Sequence, residues 1–234
     1  MIRGNISHLP VADVEISSLL PDQMTRAILN FLELWLPAFR AEYLTQFSTL
    51  LLEDKKEAKR EDGISKFLLQ YLLAQAKETN LSLQFNEKKG VDFFIFIGLP
   101  RLHSKPIFVI EAKRLPSSND GKQYVVGTDR ADGIERFKCE QEGFIFDKNH
   151  CAMVAYVQRQ TFEYWFERIN RWLIELIADN ENYDGFDWEK SDKLVKIASN
   201  SDDVARYISK HSRKTLSRLT INHFWLDMHI DNPA

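Results

Sequence analysis

The chain has 234 residues, 44% of them hydrophobic and 28% charged, with a net charge of −3 and a pI near 6.1. Length and composition suit one globular domain with extensions, or at most two small domains, around a real core. The acidic balance excludes a protein that coats nucleic acid by bulk charge, but not an enzyme that meets it on a local basic surface.

Residues 1–20 alternate weakly and read as an extended or irregular lead-in. From Asp22 to about Leu52 the pattern turns helical, with Ala27, Ile28, Phe31, Leu32, Trp35 and Leu36 on one stripe. Pro37 is expected to kink or restart this helix. The charge run Glu53–Arg60 reads as a solvated loop or helix end. Ile64, Phe67, Leu68, Tyr71 and Leu72 then mark an amphipathic helix that opens after Glu61 and Asp62.

Next the period changes. Leu81–Phe85 alternates as a strand, Glu87–Gly90 is a turn, and Val91–Ile97 is a second strand, apolar apart from Asp92. After a loop from Gly98 to Pro106, the apolar run Ile107–Ile110 leads straight into Glu111-Ala112-Lys113. Apolar runs of this kind suit strands buried on both faces. A polar loop (Pro116–Gly121) precedes a helix over Ala131–Gln141. Cys151–Val157 is a fourth strand, and Thr161–Asp179 a strong helix with Thr161 as N-cap. Asn180–Trp188 is a turn-rich connector. The tail reads as a polar helix around Val204–Lys210 and a strand-like stretch, Leu219–Ile230. The core order is helix, three strands, helix, strand, helix, in an α/β fold. Three regions follow: a helical extension (1–60), a core (61–180) and a C-terminal extension with a basic segment (181–234).

No apolar stretch nears the roughly 20 residues of a membrane span. The first residues lack the apolar segment of a signal peptide. A cytoplasmic protein without a membrane partner is expected. Cys139 and Cys151 read as free thiols, with no zinc-like spacing around them.

The chemistry concentrates at Asp92 and Glu111-Ala112-Lys113. An acid buried in a strand is costly unless paired or bound to a metal. If the second and third strands are antiparallel neighbours, Asp92 and Glu111 converge, and Lys113 shares a face with Glu111. Two carboxylates make a hard oxygen site suited to Mg²⁺. A lysine beside them can orient water or stabilise charge on a phosphoryl oxygen. An acid-x-Lys triplet alone means little, since one arises about every 130 residues at average composition. Glu53-Asp54-Lys55, Glu57-Ala58-Lys59, Glu87-Lys88-Lys89 and Asp120-Gly121-Lys122 are further examples, all in charged or turn segments. Only Glu111-Ala112-Lys113 follows a buried strand that is preceded by another strand bearing an acid.

In these residues the chain resembles the PD-(D/E)XK, or restriction-endonuclease-like, nuclease superfamily. The resemblance spans roughly Glu61 to Val157 and implies an αβββαβ core. The proline of the motif is absent, since Val91 precedes Asp92. It also implies Mg²⁺ (or Mn²⁺) held by Asp92 and Glu111, with Glu61, or Asp62 in its place, as a third ligand. Lys113 would then act at the scissile phosphate. Hydrolysis of DNA is the implied activity, with RNA left open, in restriction, repair or anti-phage defence. A homodimer or a partner subunit is implied for double-strand cleavage or target recognition.

Arg136 and Lys138 flank the site in such a fold and are candidate phosphate contacts, although a solvated helix face reads equally well. Lys210, Arg213, Lys214 and Arg218, with Arg206 and His211, form the densest basic stretch. That stretch is a second candidate surface for a nucleic-acid backbone or an acidic partner protein. His103, His150 and His223 read as structural or exposed. The alternative to a nuclease is an inactive module of the same fold serving a larger assembly.

Overall fold

A computed structural model describes residues 21–79, 81–85, 91–98, 105–117, 122–127, 132–140, 146–179 and 186–230. The lead-in 1–20, the Glu87–Gly90 turn and His103 lie outside them, as do most of the Asn180–Trp188 connector and most of the two loops around the third strand.

The fold is α/β, built on one mixed seven-stranded sheet. Helices α1 (Pro21–Thr49), α2 (Leu52–Ala58) and α3 (Glu61–Gln75) come first. Strands β1 (Leu81–Phe85), β2 (Phe93–Ile97) and β3 (Phe108–Leu115) follow, then α4 (Gly133–Cys139), β4 (His150–Val157) and α5 (Phe162–Asp179). Three C-terminal strands, β5 (Val195–Ile197), β6 (Val204–His211) and β7 (Leu219–Asp227), complete the sheet.

The strand order is β1-β2-β3-β4-β7-β6-β5. The β1–β2 and β2–β3 pairs are antiparallel. The β3–β4 and β4–β7 pairs are parallel, and β7–β6 and β6–β5 are antiparallel. The sheet separates two cores. One packs α1 and α3 through Ile28, Leu32, Leu36, Ile64, Leu68 and Leu72 onto Phe93, Ile110, Val154 and Phe224. The other packs α4 and α5 through Ile134, Phe137, Trp165, Ile169 and Leu173 onto Val109, Met153, Ile221 and Trp225. Central strands covered on both faces explain the apolar runs that open β3 and fill β4.

Three sequence expectations change. Pro37 lies inside one continuous 29-residue helix. Its missing N–H is offset by the buried stripe that runs past it through Phe39, Tyr43 and Phe47. The charge run beyond α1 forms the short helix α2, whose last carbonyl, on Ala58, accepts the Tyr43 hydroxyl at 2.7 Å. The polar helix expected around Val204–Lys210 is strand β6. Tyr207, Ser209 and His211 point into the α5 core at period two, while Lys210 between them is exposed. Two inward polar residues hid that alternation.

Thr161 caps α5 as expected, its hydroxyl accepting the Tyr164 N–H at 3.2 Å. Both cysteines are free thiols, Cys151 fully buried. No helix among the described residues is long and apolar enough to cross a membrane.

Candidate active site

Antiparallel pairing of β2 with β3 sets Phe93 opposite Ile110. The next residues toward the strand ends are Asp92 and Glu111. Asp92 Oδ2 accepts the backbone N–H of Ala112 at 2.6 Å, which locks this carboxylate against β3. Glu111 stands one position earlier, completely buried, on the sheet face that carries α4.

Four carboxylates and two cations meet here. Lys113 Nζ lies 2.8 Å from Glu111 Oε1, 3.2 Å from Asp132 Oδ1 and 3.7 Å from Glu61 Oε1. Arg136 Nη1 donates to Glu111 Oε2 at 2.6 Å, and Nη2 lies 3.4 Å from Asp132 Oδ1. Glu61 reaches across from the first turn of α3, where its Oε2 accepts the Arg114 backbone N–H at 2.7 Å. The sequence-selected Asp92, Glu111, Lys113 and Glu61 are thus brought together.

Asp132, and the pairing of Arg136 with Glu111, were not foreseen. The available signal was the i,i+4 spacing of Asp132 and Arg136 at a helix start. Gly133 makes the placement possible, because a Cβ there would lie 2.4 Å from the Tyr124 carbonyl oxygen, and its φ is +60°. The start of α4 therefore presses onto the 122–124 turn and aims Asp132 and Arg136 at β3.

Burial pushes the Asp92 carboxyl well above its ordinary range, and the neighbouring Glu111 charge raises it further. Burial also raises Glu111, with Lys113 and Arg136 opposing. For Lys113 burial works the other way, yet Glu111, Glu61, Asp92 and Asp132 outweigh it and hold the ammonium charged. Fully ionised, the four carboxylates would outnumber the two cations by two, and burial answers part of that excess by raising the Asp92 and Glu111 carboxyls towards protonation.

The donor set is all oxygen, as a hard divalent cation requires. Glu111 Oε1 is buried with the Lys113 ammonium, at 2.8 Å, against it. Charge and donor type fit Mg²⁺ or Mn²⁺. Among the described residues, however, no three acidic, histidine or cysteine side chains are grouped closely enough to hold an ion as they stand. Lys113 and Arg136 occupy the space between the carboxylates, so a cation entering here must displace part of their pairing.

The remaining sequence candidates separate. Lys138 is fully buried, its ammonium 2.8 Å and 3.0 Å from the two Asp192 oxygens and 5.0 Å from the Trp188 ring centre. Arg213 is buried as well, bonding the carbonyls of Phe146 and Ser217. Neither is on the surface expected of a phosphate contact, because each satisfies buried acceptors. Lys210, Lys214 and Arg218 are exposed, Arg218 pairing with Glu189 at 3.0 Å. His211 and His223 are buried inside a separate polar chain, and His150 is half-buried.

That chain joins Lys138 and Asp192 to His211 (2.5 Å), Ser209 (2.6 Å), His223 (2.7 Å), Tyr124 (2.7 Å) and Trp225 (2.9 Å). One proton assignment satisfies every contact. The Trp225 indole donates to Tyr124, and Tyr124 donates to His223 Nδ1. His223 Nε2 then donates to Ser209, Ser209 to His211 Nε2, and His211 Nδ1 to Asp192. Both imidazoles are neutral in this scheme, in opposite tautomers. Burial lowers the pKa of each, which agrees.

No family model, no curated protein and no solved structure matches the chain.

Proposed function

We propose that the chain is a metal-dependent nuclease that hydrolyses phosphodiester bonds of DNA, with α3, β1, β2, β3, α4 and β4 as a restriction-endonuclease-like core. The observation that carries this reading is the meeting of Asp92, Glu111, Glu61 and Lys113 at one end of β3. A negative surplus held partly out of water lacks a structural purpose, whereas it suits a divalent cation and a phosphate. Asp92 and Glu111 would hold the ion, with Glu61 as a further oxygen donor. The bound ion supplies Lewis-acid polarisation of the phosphate. Lys113, kept protonated by its carboxylate neighbours, faces the charge that grows on a phosphoryl oxygen as the bond breaks. Arg136 and Asp132 orient Glu111 and Lys113.

A single such site cuts one strand, so double-strand cleavage calls for a second copy or a partner subunit. Restriction, repair or anti-phage defence in the cytoplasm is the setting that suits this chemistry. The exposed Lys210, Lys214 and Arg218 remain candidates for contacts to the DNA backbone.

One observation favours a second reading, an inactive module of the same fold. Both Glu111 oxygens already face cations, and the acids are not grouped as a ready-made ligand set. Plasmid and linear DNA incubated with Mg²⁺, Mn²⁺ or EDTA decide between them, with Asp92→Asn and Lys113→Ala alongside. Metal-dependent cleavage lost in both variants supports the nuclease. Cleavage indifferent to both sinks the site, and no cleavage under any condition favours the inactive module.

A further inference from the structure

Beside the carboxylate cluster lies a cleft of about 210 Å³ lined by Arg60, Glu61, Asp62, Arg114, Ser117 and Gln123. Glu61 belongs to both, and its Oε1, 3.7 Å from the Lys113 ammonium, links the cleft to the cluster. Arg114 follows Lys113 on β3, and consecutive strand residues leave opposite faces of the sheet. Lys113 therefore serves the α4 side and Arg114 the cleft on the α3 side.

The Arg114 backbone is fixed by its N–H bond to Glu61. Its guanidinium has no hydrogen bond or ion pair among the described residues. Such a group, half-buried at the rim of an anionic cluster, is the arrangement expected of an anion contact awaiting its ligand. Among the described residues Arg60, across the cleft, pairs with Glu57 alone, at 3.3 Å and well exposed, a contact worth little and readily exchanged. Among the described residues the lining contains no aromatic or aliphatic side chain on which a base could stack, and the cleft's volume equals about seven waters. These features suit the sugar-phosphate backbone rather than the bases.

Building on the nuclease reading, we infer that this cleft holds a backbone phosphate of the DNA strand next to the scissile one, with Arg114 as its main contact and Arg60 as the second. Recognition there is independent of base sequence. Asp62, exposed on the same lining, repels that phosphate and limits affinity.

The test measures binding apart from cleavage. A fluorescein-labelled 20-nucleotide DNA, single-stranded or duplex, is titrated by anisotropy in EDTA and in Ca²⁺ across a salt series. Arg114→Ala is expected to weaken binding about tenfold on any sequence, and to lower the slope of log affinity against log salt by about one. Arg114→Lys restores part of the loss, and Asp62→Asn tightens binding beyond wild type. Unchanged thermal unfolding of Arg114→Ala excludes a folding defect. Arg114-dependent binding by a chain that cleaves nothing keeps the cleft and removes the nuclease. Metal-dependent cleavage by a chain whose affinity and salt slope ignore Arg114→Ala keeps the nuclease and overturns the cleft. A wild-type chain that binds neither oligonucleotide in either buffer overturns the cleft as well.

Discussion

Helix α4 carries two buried cations two residues apart, and they enter opposite kinds of polar cluster. Lys138 meets Asp192 one to one, and the chain beyond it through His211, Ser209, His223 and Tyr124 matches each donor to an acceptor. Arg136 joins Glu111, Asp132, Lys113, Glu61 and Asp92, where four carboxylates share two cations and Lys113 is divided among three of them. A balanced, saturated network fastens β6 and β7 to α4 and needs no ligand. An unbalanced one invites a cation. Both clusters are acidic and basic residues in a core, so the difference lies in charge balance and completeness, not in burial.

The comparison breaks most visibly if the balanced cluster loses a charge. Asp192→Asn leaves the fully enclosed Lys138 ammonium without its counter-ion. The expected cost is about 3–5 kcal/mol of stability, read by urea unfolding, because the remaining charge stays buried. A loss below about 1 kcal/mol would mean that the cluster is not the saturated lock described.

Acidification attacks the same cluster more gently. His211 and His223 are held neutral in the folded chain, their pKa values lowered first by burial. Unfolded, each takes up a proton near its ordinary value of about 6.5. Stability is therefore full above that pH and falls as pH drops through it, by up to about 1.4 kcal/mol per pH unit for each ring. Comparing urea midpoints at pH 7.5 and 5.5 for wild type and His223→Gln isolates one ring. The variant should lose less between the two values, and an equal loss would contradict the neutral tautomer chain.

The two clusters were not equally legible in the sequence. Asp92 and Glu111 stood out because each interrupts or ends an apolar strand, and period two placed Lys113 with Glu111. The helix and strand order from α3 through β4 was readable for the same reason, since those segments keep an apolar period, whereas the charged α2 was not. Asp132 was invisible, because its role depends on Gly133 letting α4 press onto a turn distant in sequence. The Lys138–Asp192 pair joins residues 54 apart, so its charges looked like surface charges. Strand β6 failed for a related reason. Its inward Ser209 and His211 are satisfied by His223 and Asp192, partners that only the sheet order supplies. Long-range polar matching is what a one-dimensional pattern loses.

The unbalanced cluster should respond to divalent metal where the balanced one does not. Adding Ca²⁺ at about tenfold to hundredfold its dissociation constant is expected to stabilise the fold by about 1.4–2.7 kcal/mol, a shift of a few degrees in Tm by calorimetry. Asp192→Asn should keep that increment on top of its own loss, since its cluster takes no part. No shift in wild type would remove the cation from the account of the site.

Asp92→Asn is the smallest and sharpest change. An asparagine keeps an oxygen for the Ala112 N–H that Asp92 now accepts at 2.6 Å, so the backbone lock survives. It deletes one negative charge from a cluster with two to spare. In EDTA the variant should match wild type or exceed it by about 1 kcal/mol, because the burial cost of the charged carboxylate, and after it the repulsion from Glu111, is gone. The Ca²⁺ increment should vanish in the same protein. Asp192→Asn and Asp92→Asn are the same chemical substitution, a buried aspartate made neutral, and the expected outcomes are opposite in sign. If both destabilise alike, charge surplus does not distinguish the two clusters, and the acids around Lys113 are structural.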